Sequence, residues 1–147
     1  MYLYGASGHA KVIKEILEAN GQRVEAFVDD NQDIHQFCGL PVMHQAADLS
    51  PFIVSIGDNS SRKRVVEQLH STFSIAFHPR SVVSGSASIG EGSVVMAGAI
   101  INAESKIGNH CIINTGASVD HECVVDDFVH VSPHATLCGN VHVGEGS

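Results

Sequence analysis

The sequence predicts a β-solenoid of six-residue repeats over its C-terminal half, carried behind a small α/β unit. Three observations predict it. An aliphatic residue recurs at every sixth position from Val83 to Val143, a small residue or valine follows four places after each, and the N-terminal half alternates strand-like and helix-like runs joined by glycine loops.

In the N-terminal half, residues 1–4 read as a strand, followed by the loop Gly5-Ala6-Ser7-Gly8-His9 and a helix over 10–19. That helix places Val12, Ile13, Ile16 and Leu17 on one face, with Asn20-Gly21 as its stop. Val24 to Val28 reads as a second strand ending at Asp29-Asp30. Residues 52–56 form another, leading through Gly57-Asp58-Asn59 into a helix from Ser60 to His70, and a last strand over 73–77 precedes Pro79. Strand–helix alternation predicts a parallel sheet with ligands at the carboxyl ends of its strands, where Gly5, Asp29, Asp30 and Gly57 fall. Gly5-x-x-Gly8 lacks the full dinucleotide fingerprint, which argues against NAD. It still offers backbone N–H groups at a helix start, suited to a phosphate or pyrophosphate, and the acidic pair can accept hydrogen bonds from base or sugar. Equally, the glycines can serve only a tight turn and the aspartates only solvent. The residues by themselves leave both readings open.

From Val83 the aliphatic series runs Val83, Ile89, Val95, Ile101, Ile107, Ile113, Val119, Val125, Val131, Leu137, Val143 without a break. The companion series is Ala87, Ser93, Ala99, Ser105, Cys111, Ala117, Cys123, Val129, Ala135, Val141, Ser147. Neither a 3.6-residue period nor strand alternation locks two registers at six. A solenoid does: each repeat is a short strand and a corner, with the aliphatic residue inward and the small one at the bend. A solenoid can equally be a passive scaffold or binding surface, so function has to be read from its outward residues.

Composition narrows the function classes. A chain of 147 residues with a formal net charge of −8 is poorly suited to nucleic acid. No run reads as a membrane span or signal peptide, and Cys38, Cys111, Cys123 and Cys138 show no CxxC spacing, so they read as reduced thiols of a cytoplasmic protein. Fourteen Gly and no Trp suit a turn-rich repeat.

Five histidines fall in the repeat region, His110, His121, His130, His134 and His142, none at an inward register position, so all are expected to project outward. Most outward histidines are solvated side chains. His121 stands apart because Asp120 and Glu122 flank it, and a carboxylate beside an imidazole orients it and raises its basicity, as a general base requires. The register resembles that of the hexapeptide-repeat acyltransferases, in which three repeats make one coil; on that resemblance Gly139, eighteen residues on, lies one rung away, where a missing side chain leaves room for substrate and an N–H for an oxyanion.

The segments YLYGASGHAKVI, VDDN, SIGDNSSRKR and INTGASVDHECVVDDFVHVSPHATLCGNVHVG, together spanning nearly the whole chain, resemble the sialic-acid O-acetyltransferase / UDP-4-amino-sugar N-acetyltransferase family of hexapeptide-repeat acyltransferases. The resemblance implies a left-handed parallel β-helix over 79–147, behind a small Rossmann-like nucleotide-sugar-binding unit over 1–78. It implies that Ser7, Gly8, His9, Asp29, Asp30 and Gly57 bind a UDP-amino-sugar, and that His121 is the general base with Glu122 raising its basicity. It further implies that His130 and Gly139 contact acetyl-CoA, with no metal, and that the protein is a cytoplasmic homotrimer with each active site between two β-helices. Family members continue for several more coils, whereas this sequence stops at Gly144-Glu145-Gly146-Ser147 in mid-repeat, which predicts a chain truncated within the coenzyme site. The expected reaction is direct acetyl transfer from acetyl-CoA to a sugar amine. Its alternatives are O-acetylation of a sialic-acid-type sugar, a β-helix carbonic anhydrase with His121, His130 and His142 on zinc, and a non-catalytic nucleotide-sugar-binding scaffold.

Overall fold

A computed structural model describes residues 1–147. The N-terminal unit contains β1 (Tyr2–Tyr4), α1 (Gly8–Ala19), β2 (Ala26–Val28), β3 (Gln36–Phe37), β4 (Leu40–Met43), β5 (Phe52–Val54) and α2 (Asn59–Gln68). Their sheet has the order β3-β4-β2-β1-β5. β4, β2, β1 and β5 run parallel, and only the β3–β4 edge is an antiparallel hairpin. Leu3, Phe27 and Ile53 are fully buried along this sheet. Against it α1 buries Ala10, Ile13, Ile16 and Leu17 at helical spacing. Val12, expected on that face, is instead 39% exposed.

The solenoid strands are β6 (Ala76–Phe77), β7 (Val82–Val83), β8 (Ser88–Ile89), β9 (Val94–Val95), β10 (Ile100–Ile101), β11 (Lys106–Ile107), β12 (Ile112–Ile113), β13 (Ser118–Val119), β14 (Val124–Val125), β15 (His130–Val131), β16 (Thr136–Leu137) and β17 (His142–Val143). They stack into three parallel four-stranded sheets, β15-β12-β9-β6, β16-β13-β10-β7 and β17-β14-β11-β8. Pairing follows the predicted eighteen-residue interval: Val83 against Ile101, Ile101 against Val119, Val119 against Leu137. Both predicted registers line one interior, in which Val95, Ile101, Ile113, Val119, Ala99 and Ala117 are wholly inaccessible. Each buried aliphatic side chain there contributes roughly 1.5–3 kcal/mol. Serine can replace alanine at a bend because its hydroxyl is satisfied: Ser105 Oγ donates to Asp120 O at 2.6 Å and accepts from Cys123 N at 3.3 Å.

The strand expected over 73–77 serves the solenoid rather than closing the α/β sheet, since Ala76 pairs with Val94 and Phe77 with Val95. Phe73 alone keeps a bridge to Phe52. The outer face of the β15-β12-β9-β6 sheet is covered by the N-terminal unit: Val94, Met96 and Ile112 share one apolar cluster with Ala10, Ile13 and Leu17. Arg62 of α2 fastens the seam. Wholly buried, it donates from Nε to His110 O (2.9 Å) and from Nη2 to Phe128 O (2.9 Å), on successive rungs of one corner. It also reaches Ile56 O, Gly57 O and Asn59 Oδ1. No helix is long and apolar enough to cross a membrane.

Candidate functional site

Each corner of the triangular coil is a column of residues eighteen apart. Between β13 and β14 lies the turn Asp120-His121-Glu122-Cys123; Asn102-Ala103-Glu104-Ser105 sits one rung below it and Cys138-Gly139-Asn140-Val141 one rung above. Glu122 takes a left-handed conformation (φ +58°), and its Oε2 lies 3.0 Å from His121 Nδ1. Asp120 is engaged differently: its Oδ1 accepts from the backbone N of His121 at 2.8 Å. That bond, then one from Asn102, holds the Asp120 carboxyl below the ordinary carboxylate range. Of the two acids flanking His121, Glu122 therefore meets the imidazole and Asp120 fixes the backbone beneath it.

The opposite edge of the ring, Nε2, faces Gly139. A Cβ built on Gly139 would lie 2.6 Å from Nε2 and 2.7 Å from Cε1, so only glycine fits the ring in this position. The backbone N–H of Gly139 has no acceptor within the chain. Histidine over glycine recurs in this solenoid, but His110 and His134 lean back over Gly92 and Gly116 on the preceding rung, whereas His121 leans forward over the following one. An exposed imidazole held by a carboxylate on one nitrogen, with the other beside a free N–H, is equipped to take a proton and to face a developing oxyanion.

A second group assembles at the seam between the solenoid and the N-terminal unit. At the start of α1, Ser7 is the N-cap residue but its hydroxyl caps no backbone N–H, which leaves the first turn open. Gly5, with φ +104°, makes the sharp exit from β1. Asp29 is committed to this loop: Oδ2 accepts from Ala6 N at 2.7 Å and Oδ1 from Asn31 N at 2.9 Å. Asp30 is exposed and receives the Tyr4 hydroxyl at 2.6 Å. His9 and His130 approach with ring centroids 6.5 Å apart, and Asn114 Nδ2 lies 2.8 Å from His130 Nε2. Burial, then His130, then Arg62 push His9 down to about 4, so it is neutral at physiological pH. Burial and Arg62 also lower His130, against a hydrogen bond with the Gly57 backbone.

His9, Gly57 and His130 thus come together, while His121, Glu122 and Gly139 lie at the corner opposite the sheet that carries His130. Of the three nominated zinc ligands, His130 is on the covered sheet, His121 at the far corner, and His142 on a third face, bonded to Asp126 at 2.9 Å. The three do not converge within one chain.

One expectation about the histidines fails. His110 leaves the solenoid interior but is only 4% exposed, stacked on Phe128 (5.2 Å) and edge-on to Phe73 (4.6 Å). Arg62 and Asn114 were not singled out from sequence. Arg62 shares a helix face with Val65 and Val66, and that spacing is the available signal. No sequence pattern distinguished Asn114.

Comparison with known proteins gives consistent results. Residues 1–69 match the model of the PglD N-terminal domain. The chain is 42% identical over 107 residues to UDP-N-acetylbacillosamine N-acetyltransferase of Bacillus subtilis (strain 168), covering 64% of this chain and 50% of that protein. It therefore spans about half the length of that curated relative. Among solved structures, PerB from Caulobacter crescentus in complex with CoA and GDP-perosamine superposes with a TM-score of 0.91 at 41% identity, over 99% of this chain and 74% of that one. The acetyltransferase domain of PglB from Neisseria gonorrhoeae FA1090, in complex with acetyl coenzyme A, gives 0.90 at 39% identity, over 99% and 76%.

Proposed function

This chain belongs to the sialic-acid O-acetyltransferase / UDP-4-amino-sugar N-acetyltransferase family of hexapeptide-repeat acyltransferases, and from that premise we propose that it moves an acetyl group from acetyl-CoA to the amino group of a UDP-linked 4-amino sugar. The observation that carries the catalytic part is the His121 arrangement, with Glu122 on Nδ1 and Gly139 at Nε2. The amine nitrogen attacks the thioester carbon while His121 Nε2 takes the proton it sheds. The carbonyl oxygen becomes an oxyanion, to which the Gly139 N–H can donate a hydrogen bond. Collapse breaks the C–S bond, and the proton on His121 passes to the leaving thiolate, so the imidazole returns neutral and no acyl-enzyme forms. Glu122 stabilises the transient imidazolium.

An amine rather than a hydroxyl acceptor is supported by charge. Glu104, Asp120 and Glu122 surround the corner, and three carboxylates attract an acceptor that arrives as an ammonium ion and releases one proton to solvent before the neutral amine attacks. A uridine nucleotide is supported by the name of the Bacillus relative. The open first turn of α1, with Ser7, Gly8 and His9, is suited to the pyrophosphate, and Asp29, Asp30 and Gly57 complete the nucleotide-sugar end. On this reading residues 1–78 hold the nucleotide sugar and 79–147 carry the transfer, with His130 and Gly139 on the acetyl-CoA path. Because the two residue groups of one chain face different sides of the coil, a site that uses both needs a second copy; this supports a homo-oligomer, for which the family resemblance implies a trimer. A cytoplasmic location, where acetyl-CoA is supplied, fits this reading.

The test is acetyl-CoA-dependent thiol release against a panel of UDP- and GDP-linked amino and hydroxy sugars. Turnover confined to amino sugars, fastest with the UDP series, is expected. Preference for a hydroxyl acceptor or for GDP would revise the corresponding half of the proposal.

A further inference from the structure

Asn102 follows β10 and occupies the corner directly below Asp120. Its Nδ2 donates to Asp120 Oδ1 at 3.0 Å, and that same oxygen accepts from His121 N at 2.8 Å. A single carboxylate oxygen is therefore held from two directions, by the amide of the rung beneath and by the backbone of the residue it precedes. The peptide between Asp120 and His121 is fixed in turn, as is the carbonyl of Asp120, which Ser105 Oγ reaches at 2.6 Å. Next in the chain, Glu122 takes the left-handed backbone that recurs at this corner in Glu104 and Asn140, and its Oε2 lies 3.0 Å from Nδ1.

We infer that Asn102 is a positioning residue for the proposed acetyl transfer, acting through Asp120 to hold the His121–Glu122 pair in register with Gly139. This rests on the assignment of His121 as the base. Asn102 touches neither the ring nor the Gly139 backbone, so its contribution falls on the chemical step and not on substrate affinity. The scaffold does not need the contact: Asn102 is exposed, and the fold beneath it is held by Ile101 and Ser105. The His121 backbone first and the Asn102 amide second hold the Asp120 carboxyl below its ordinary range, as donors acting on the ionised carboxylate do.

The experiment compares Asn102→Ala, Asn102→Asp, Asn102→Gln and His121→Ala in the thiol-release assay, with thermal midpoints. Asn102→Ala is expected to lower kcat about tenfold, a fraction of the hundredfold that about 1 Å of misplacement costs. KM for both substrates should hold within about twofold and the thermal midpoint within about 2 °C. Asn102→Asp, isosteric but setting a carboxylate against Asp120, should lose more, and Asn102→Gln, which keeps an amide donor, should recover most of the rate. Wild-type turnover of Asn102→Ala and Asn102→Asp beside an inactive His121→Ala would overturn the inference alone. So would a loss in Asn102→Ala that tracks its thermal midpoint and is not recovered by Gln. An active His121→Ala would instead overturn the base assignment itself.

Discussion

Gly139→Ala is the sharpest perturbation of the site, because one methyl group meets one ring. The added carbon would sit 2.6 Å from His121 Nε2, 2.7 Å from Cε1 and 3.2 Å from Cδ2. Relief to ordinary contact, about 3.5 Å, moves the ring by ~1 Å. That displacement stretches or breaks the 3.0 Å contact between Nδ1 and Glu122, and it fills the space where the attacking amine would stand. A misplacement of ~1 Å costs about a hundredfold in rate, or about 2.7 kcal/mol of barrier. Gly139 does not adopt a positive φ, so alanine there carries no backbone strain and the fold should hold. The assay is thiol release at saturating acetyl-CoA, with Gly144→Ala, which has open space around it, as the control. Turnover of Gly139→Ala within about threefold of wild type would refute the reasoning, since it would show that the imidazole need not stand where the structure holds it.

Three further outcomes are expected. Arg62→Met removes five hydrogen bonds and leaves the carbonyls of His110 and Phe128 without that partner, so urea unfolding should show a loss of about 3–5 kcal/mol; a change under about 1 kcal/mol would count against the clamp. Stability should fall with acid through the histidines: burial holds both His9 and His110 near 4, so the unfolded chain takes up protons from about pH 6.5 downward while the folded chain does not. Their contribution is complete above about pH 6.5 and is lost as pH falls toward 4, on the order of 3 kcal/mol for sealed His110 and less for partly exposed His9, and a flat urea midpoint from pH 7 to pH 4.5 would contradict it. Glu122→Gln preserves shape but removes the anion beside Nδ1, and should lower kcat about tenfold with KM for both substrates unchanged.

The solenoid was legible in the sequence because its core is one-dimensional. Each inward residue is fixed by its place in a six-residue count, and the three repeats per coil that the family resemblance implies stack Val83, Ile101, Val119 and Leu137 as the structure does. The His121 corner was legible for the same reason, since the count places Gly139 above it. What escaped was set by contacts across the seam. His110 is outward by register yet buried, because Phe73 and Arg62 arrive from the N-terminal unit to cover it. Residues 73–77 read as the last strand of the α/β sheet, but Ala76 and Phe77 bond to β9 and extend the solenoid. The β3–β4 hairpin was not anticipated, its strands being too short to alternate. Helix α1 begins two residues before its expected start because the extended Ser7 hands over to the helix at Gly8. Asp29 lies at the strand end where a ligand acceptor is expected, and its carboxylate also accepts from the backbone of its own loop, a local contact that spacing does not encode.

The central claim is that His121 removes the proton from the acceptor amine in a direct transfer. Its most direct test is single-turnover acetyl transfer by the wild-type chain and His121→Ala at saturating acetyl-CoA and amino-sugar nucleotide. The account predicts a chemical step at least ~10²-fold slower in His121→Ala, with substrate binding retained and no acetylated protein at any time. A single-turnover rate in His121→Ala close to wild type, or an acetylated enzyme formed and consumed at the rate of turnover, would contradict it.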